Sequence, residues 1–517
     1  MNGVKIMYVS AVDIERFLGR YSIGRDSNPL NITGSLHFLR AKVPGGLITS
    51  EQFRRLAELA SKYGKGQAEI TDRQDIQLHW IRAEDALDIF TVMDELGFTT
   101  DMCGQGFGGA RYGDVRNIIC CPASGIEKGE ILNGYPLMKK LTKFYVGNPD
   151  FLDMPRKFKI SVSGCGSDCT RAKINDLAFV AVKRRGEVGF TLLVGGSIGA
   201  SLPGPRLARP TGVFVRPDCA FDVAMAIVEI HRDYGNRESK AKARFKWLIE
   251  SWGLEKFLGV LEGKLGKSLE RYDGPVFHRY TDHEGVQPQS REGYYYVNVP
   301  LSGGRLSSDE MVQIADLAEE YGNGELRLTP TQKIIIPNVK EKDELISRLT
   351  EMGFSFDGPK MKWTSIGCAS EFCGKSLSSP AREVVKETVD YLERRFNKLI
   401  LDEAGTRIHA SGCPNNCCAT MIAEIGLSGR QIKEGNEMKQ AYDISLGGGL
   451  GPQTSFGRLI EEKVPAEEVK HKIETLLNNY LRRKNPHESL REFCNRHTNE
   501  VLKIYLNTAE DEQEYGK

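Results

Sequence analysis

Apolar and polar positions along this chain fall into the same pattern twice. In VPGGLITSEQFRRLAELASKYGKGQAEITDRQDIQLHWI, which begins at Val43, Leu56, Leu59 and Ala60 recur at helical spacing, a glycine turn follows, and the next stretch alternates with period two. The segment predicts a helix, a turn and a strand. At a constant offset of 258 the same pattern returns without a gap in PLSGGRLSSDEMVQIADLAEEYGNGELRLTPTQKIIIPNV, with Ile314, Leu317 and Ala318 in the helical positions. Gly45-Gly46 falls on Gly303-Gly304, and Arg73-Gln74 on Thr331-Gln332. A period of this kind signals duplication.

The intervening parts repeat more loosely. KISVSGCGSDCTRAKINDLAFVAV from Lys159 resembles RIHASGCPNNCCATMIAEIGLSG from Arg407, and each is followed by a glycine cluster, LLVGGSIG at Leu192 and ISLGGGLG at Ile444. The predicted organisation is α+β and internally duplicated, A-B-A′-B′, with boundaries near residue 105, in the polar stretch 270–290 and near residue 358. The amphipathic helix in VPAEEVKHKIETLLNNYLRRK is expected to pack on B′ or on a partner. The glycine clusters let backbone approach something bulky or simply turn. Gly104-x-Gly106-x-x-Gly109 fits a dinucleotide pattern, but it follows TTDMC rather than a buried strand and precedes ARYGDVRN rather than a helix. It is read as a loop.

Composition narrows the function. The 517 residues correspond to roughly three domains, and 70 basic against 69 acidic residues give +1, with 40% hydrophobic and 27% charged positions. That balance excludes a nucleic-acid coat and a disordered scaffold, so any anion site must be local. No apolar run reaches the ~18 residues of a membrane span, and Asp13 and Glu15 interrupt any signal-peptide core. A soluble cytoplasmic protein without membrane or nucleic-acid partners is expected.

In a reducing compartment the twelve cysteines are more useful as ligands than as disulfides. Two close pairs stand out, Cys368-x4-Cys373 and Cys413-x3-Cys417. Four thiolates satisfy tetrahedral zinc or a cubane iron-sulfur cluster, and spacing alone does not choose between them. Pro414 and the small flanking residues favour a cluster, whose sulfides need backbone N–H groups. In B the pair Cys165-x3-Cys169 survives without an upstream pair and is read as structural or vestigial. Cys103, Cys120, Cys121, Cys219, Cys418 and Cys494 are read as core residues. Cations are asymmetric too. Arg73 stands where its repeat has Thr331, Arg116 lies in GDVRN, and Arg156, Lys157 and Lys159 lie in PRKFK. On an alternating strand Lys157 and Lys159 share a face, and if that face is inward an anion belongs there. The run Lys240-x-Lys242-x-Arg244-x-Lys246 is expected to open a helix before Trp247.

TDRQ-x-x-Q-x-HW, GDVRN, PRKFK, C-x4-C and GCPNNC, in this order within an A-B-A′-B′ duplication, resemble the assimilatory sulfite and nitrite reductases, the sirohaem and 4Fe-4S haemoproteins. The resemblance runs from about residue 30 to 460. It implies two ferredoxin-like half-repeats, 30–105 and 285–357, forming one joint domain, and two α/β domains, 106–284 and 358–517, clasping the cofactors. It implies that Cys368, Cys373, Cys413 and Cys417 hold the cluster and that Cys417 also bridges to the sirohaem iron. It places Arg73, Arg116, Lys157 and Lys159 around the bound oxyanion, and Arg156, Arg244 and Lys246 on sirohaem carboxylates. The family's first pair is usually C-x5-C, so the Cys368-x4-Cys373 loop is one residue tighter.

The implied activity is six-electron reduction of sulfite to sulfide, with nitrite to ammonia as the alternative. A zinc-stabilised binding protein is the rival of another class, and a cobalamin-pathway oxygenase relative is a rival within the fold, disfavoured by retention of all four distal cations. Since no flavin or nicotinamide module is evident, a ferredoxin or a separate reductase subunit must donate electrons. Sulfite is the expected substrate, because Lys159 adds a second ammonium suited to a dianion, and sulfite-type relatives resemble Lys-x-Lys here where plant-type nitrite reductases resemble Lys-x-Asn.

Overall fold

The computed structural model describes residues 20–21, 24–25, 36–100, 113–199, 204–372, 381–413, 415–435 and 437–508. Cys103, Cys373, Pro414 and the Gly104–Gly109 pattern lie outside them. The chain forms two compact units, one of residues 1–197, 201–299 and 304–354, the other of 198–200, 300–303 and 355–517.

Within the first unit the repeat at offset 258 is a repeat of structure. Helices Ser50–Tyr63 and Ser308–Tyr321 both start at a capping box, Thr49 with Gln52 and Ser307 with Glu310, in which each side chain bonds the other's backbone N–H. Both end before a glycine, and they bury the predicted faces, Leu56, Leu59 and Ala60 in one and Ile314, Leu317 and Ala318 in the other. Arg54 ties the two helices by reaching Asp316 at 2.7 Å and Glu319 at 2.6 Å. The repeats also exchange strands. Leu47–Thr49 of the first pairs with Glu325–Leu328 of the second, and Arg305–Ser307 of the second pairs with Gln67–Ile70 of the first. Neither sheet is complete without its sister.

The B and B′ parts, one in each unit, are built to one plan. In B, strands Ile119–Cys120, Ile160–Ser163 and Leu177–Arg184 run parallel, and Glu187–Val194 and Arg209–Val215 add antiparallel. In B′ the order is Ile366–Gly367, Ile408–Ser411, Ile425–Glu434, then Glu437–Leu446 and Arg458–Pro465. Helices Tyr135–Tyr145, Ala220–Tyr234 and Phe245–Leu265 cover the B sheet through Leu141, Ile227 and Phe257. The amphipathic helix Val469–Arg483 buries Val469, Ile473, Leu476 and Tyr480 in the B′ core, so its apolar face is used within its own unit.

The tightest local correspondences surround the cysteines. Arg171 and Ala419, two residues past the second cysteine of each pair, both adopt left-handed backbone, with φ of 53° and 52°. Ala172 N–H donates to Asp168 Oδ1 at 2.7 Å, and Thr420 N–H donates to Asn416 Oδ1 at 2.7 Å. The glycine clusters serve close backbone approach. A Cβ on Gly196 would sit 2.5 Å from Asn175 O, and one on Gly448 would sit 2.5 Å from Met421 O.

Candidate functional site

In the first unit the sheet alternation sorts PRKFK into two faces. Phe158 and Ile160 enter the core, so Lys157 and Lys159 lie on the opposite face together, as the alternation predicts. The regular strand begins at Ile160, and Phe158 is attached by an isolated bridge to Val115. Arg116 N–H donates to Phe158 O at 2.8 Å and Phe158 N–H to Asp114 O at 3.0 Å, which lays GDVRN alongside PRKFK. Gly113 is required there, since its φ is +148° and a Cβ would lie 2.6 Å from Lys157 N.

Arg73 comes from the turn between strands Gln67–Ile70 and Ile76–Arg82. The turn is closed by Thr71 N–H to Asp75 O at 3.0 Å, and its repeat by Thr329 N–H to Lys333 O at 2.9 Å, so Arg73 and Thr331 occupy equivalent places. Its guanidinium donates to Asn175 Oδ1 at 3.1 Å and Asn117 O at 2.5 Å. Arg244 caps helix Phe245–Leu265 and pairs with Oδ2 of buried Asp176 at 2.7 Å, and the same oxygen accepts the backbone N–H of Lys159 at 2.9 Å. Lys246, in the first turn, donates to Gly204 O at 2.5 Å. The expected basic helical run is therefore broken: Lys240 and Lys242 are exposed ahead of the helix, and only Arg244 and Lys246 turn inward. Ala243 and Phe245, which alternate with them, are buried and set the start of the helix.

These cations repel one another. Lys159 is pushed down to about 8, mainly because protein surrounds its ammonium and then because Arg73 lies nearby. Lys246 is also pushed down to about 8, by burial and then by Arg244. Burial, then Arg244 and Arg116, lower Arg156. Among the described residues no carboxylate pairs with Arg156 or Lys159. Arg171, which no sequence pattern marks, is 2% exposed, and none of its three guanidinium nitrogens has a hydrogen-bond partner among the described residues. Burying unpaired cations costs several kcal/mol or more. Arg156, Lys159, Arg244, Arg116 and Arg73, which disfavour one another's charged forms, fit a ligand with several negative charges.

In the second unit, Cys368 follows strand Ile366–Gly367 and Cys413 follows Ile408–Ser411, the parallel neighbour. Cys413 is buried, Cys368 half-buried and Cys417 exposed. Gly412 N–H donates to Cys368 Sγ at 3.2 Å, a backbone-to-sulfur contact of the kind that tunes thiolate-held clusters. Three of the four expected ligands are thus carried by one strand-end loop region, and the fourth, Cys373, lies outside the described residues.

The same strand ends in B contain more than the vestigial pair expected. Cys121 N–H donates to Val162 O at 3.0 Å just as Cys368 N–H donates to Ala410 O at 3.1 Å, which makes Cys121 the structural counterpart of Cys368. Cys121, Cys165 and Cys169 meet His283 in a buried group. Reading Cys121 as core and the Cys165–Cys169 pair as structural or vestigial does not bring these three thiols and His283 together, as the fold does. The signal in the sequence is the doublet Cys120-Cys121 at the strand end, and the fourth member is hidden by its distance along the chain.

Residues 112–269 and 381–509 match the model of the nitrite and sulphite reductase 4Fe-4S domain. Residues 32–96 and 287–351 match that of the nitrite/sulfite reductase ferredoxin-like half domain. A ferredoxin sulfite reductase from Mycolicibacterium paratuberculosis is 32% identical, with 92% of this chain and 85% of the relative aligned. An assimilatory ferredoxin-dependent nitrite reductase from Haloferax mediterranei is also 32% identical, with 93% and 85% aligned. The solved NirA protein of Mycobacterium tuberculosis superposes with a TM-score of 0.84 at 29% identity, covering 96% of this chain and 92% of that one.

Proposed function

The chain belongs to the nitrite and sulphite reductase family, and from that premise we propose that it reduces sulfite to sulfide with six electrons. Membership makes it an oxidoreductase with a 4Fe-4S cluster and a sirohaem, and the zinc-stabilised binding protein without redox activity is set aside. We assign the cluster to Cys368, Cys373, Cys413 and Cys417. The sirohaem carboxylates are assigned to Arg156, Arg244, Lys246 and Arg171, the last because its buried guanidinium has no other partner among the described residues. The ranges 30–105, 106–284, 285–357 and 358–517 serve as the working domain division. When bound, the two cofactors supply electrons one at a time and an iron site for the substrate's sulfur or nitrogen.

The protein's own groups handle oxygen and protons. Arg73, Arg116, Lys157 and Lys159 bind the oxyanion's oxygens, and the two ammonium groups give protons as each oxygen leaves as water. Sulfite, six electrons and seven protons give hydrogen sulfide ion and three waters, so the reaction needs several proton donors around one anion. Arg73 is held for this by Asn117 and Asn175, which take its N–H groups without neutralising its charge. Electrons come from a ferredoxin, the donor named for the relatives from M. paratuberculosis and H. mediterranei.

The observation that carries the choice of sulfite is Lys159, on the same face as Lys157 and without a carboxylate partner among the described residues. A second ammonium attracts a dianion more strongly than a monoanion, although desolvation removes part of the gain. Nitrite is the second reading, supported by the equal 32% identity of the Haloferax enzyme. Steady-state turnover of both substrates with one artificial donor tests the choice. Sulfite is expected to have the larger kcat/KM, and Lys159→Asn is expected to lower the sulfite-to-nitrite ratio. A preference for nitrite in the unmodified enzyme would overturn the assignment and leave the family intact.

Arg171→Leu supplies a separate expectation. Removing a charge buried without a partner among the described residues should raise the stability of the cofactor-free protein, while sirohaem absorbance per chain falls. Thermal unfolding of the cofactor-free form and the visible spectrum of the loaded form measure the two effects, and unchanged absorbance would remove Arg171 from the site.

A further inference from the structure

We propose that the first unit carries a zinc ion of its own, bound by Cys121, Cys165, Cys169 and His283, at the place in B that corresponds to the cluster ligands of B′. The four residues are buried and their ligand atoms all lie within 4.8 Å of one another. Cys121 Sγ lies 3.6 Å from Cys165 Sγ, and Cys165 Sγ lies 3.6 Å from Cys169 Sγ. His283 Nε2 is 3.2 Å from Cys121 Sγ and 3.8 Å from Cys165 Sγ. Ions of the size of zinc hold thiolates at about 2.3 Å, which puts tetrahedral sulfur-to-sulfur edges near roughly 3.8 Å and sulfur-to-nitrogen edges near roughly 3.5 Å. The observed edges match a single tetrahedral ion. A cubane places irons and sulfides between its thiolates and needs them wider apart. A disulfide would use two of the three sulfurs, and neither measured pair is at bonding distance.

The surroundings of the imidazole point the same way. His283 Nδ1 faces Glu127 Oε2 at 3.3 Å and Tyr296 OH at 3.2 Å, and Tyr296 OH donates to Glu127 Oε2 at 2.8 Å. Arg279 holds the other carboxylate oxygen at 3.0 Å. A carboxylate on Nδ1 fixes the ring and leaves Nε2 for a metal, the usual outer support of a metal-bound histidine. His283 sits in left-handed backbone with φ of 54°, which a histidine adopts at a cost, and it is pinned by Asn298 Nδ2 donating to its carbonyl at 2.9 Å.

The duplication explains the site's history and the fold explains its use. Cys121, Cys165 and Cys169 correspond to Cys368, Cys413 and Cys417, and His283 comes from a segment outside the B repeat, 118 residues from Cys165. An ion there would tie the ends of strands Ile119–Cys120 and Ile160–Ser163 to the chain leading into strand Val286–Pro288. It would fix the B sheet to the second half-repeat within one unit.

The test uses the full-length holoenzyme purified without chelator. Elemental analysis should find about one zinc per chain besides the iron, and zinc-edge X-ray absorption should show three sulfurs near about 2.3 Å and one nitrogen near about 2.0–2.1 Å. His283→Ala and Cys169→Ser should lower zinc at least about fivefold while iron and the visible spectrum stay unchanged, and His283→Cys should keep zinc as a four-thiolate site. Zinc below about 0.2 per chain in the unmodified protein, even after incubation with zinc chloride, would overturn the proposal. So would a zinc edge lacking sulfur, or loss of iron in place of zinc in Cys169→Ser. Because the unmodified protein decides the first two results, a variant that fails to fold does not shield the idea. Sulfite or nitrite preference has no bearing on any of these outcomes.

Discussion

Cys417→Ser should reduce sulfite turnover about a thousandfold or more, the scale seen when one member of a group acting as a unit is removed. The expectation combines the position of Cys417 in its loop with the family's implied ligand set. Cys368 and Cys413 are half-buried and buried, whereas Cys417 is exposed. Serine oxygen is a poor substitute for thiolate as an iron ligand and does not push electron density toward the iron in the same way. The loss should therefore appear in kcat far more than in KM, since the cations that hold the oxyanion lie on other elements. Iron per chain and the visible spectrum provide the check. Cys169→Ser, the equivalent change in B, should leave turnover within a few-fold, because its thiol belongs to the zinc site proposed above. Equal loss of iron and turnover in the two variants would show that the cluster had been assigned to the wrong repeat.

How much the chain alone reveals depends on how local each signal is. The helical faces at Leu56 and Ile314 and the Arg73–Thr331 exchange lie within short matching runs, so an ungapped offset of 258 reveals them together, whereas the capping boxes at Thr49 and Ser307 emerge only with the fold. Alternation by itself puts Lys157 and Lys159 on one face, because Phe158 and Ile160 between and beside them are large and apolar. Arg171 is silent for the opposite reason. A single arginine beside Cys169 carries no pattern, and its importance comes from left-handed backbone and a buried guanidinium, neither of which is visible in a sequence. The helix expected to open with the Lys240–Lys246 run begins only at Phe245, after a turn over residues 240–242, so only its last two cations, Arg244 and Lys246, face inward. His283 is unreadable as a ligand, since it lies in the polar linker and meets the three cysteines only through the fold. Strand exchange between the half-repeats is equally hidden, as short strands such as Leu47–Thr49 gain their partners from a distant repeat.

Loss of the Lys159 charge should produce the second large effect, and pH offers a way to see it without mutation. Lys159 has a folded value of about 8, below the ordinary 10.5, because burial and Arg73 both disfavour its charged form. Below about pH 8 the ammonium is present to bind the oxyanion and to supply a proton. As pH rises through that value it is lost, so kcat/KM should fall about tenfold per pH unit on the alkaline side. A bound anion favours the charged form, which moves the corresponding limb in kcat to higher pH. Sulfite itself changes protonation near neutrality, so nitrite is the better reporter, being fully ionised over this whole range. Lys159→Arg keeps a permanent positive charge and should remove the limb while retaining part of the activity. Lys159→Met should cost about 10²- to 10³-fold in kcat/KM, as expected for deleting one preorganised donor at the reacting oxygens, and should flatten the same limb. Lys246 also lies at about 8, but its ammonium is engaged with Gly204 O. Lys246→Arg is therefore expected to leave the nitrite limb in place. A limb that persists in Lys159→Arg and vanishes in Lys246→Arg would transfer the proton-donating role from one lysine to the other.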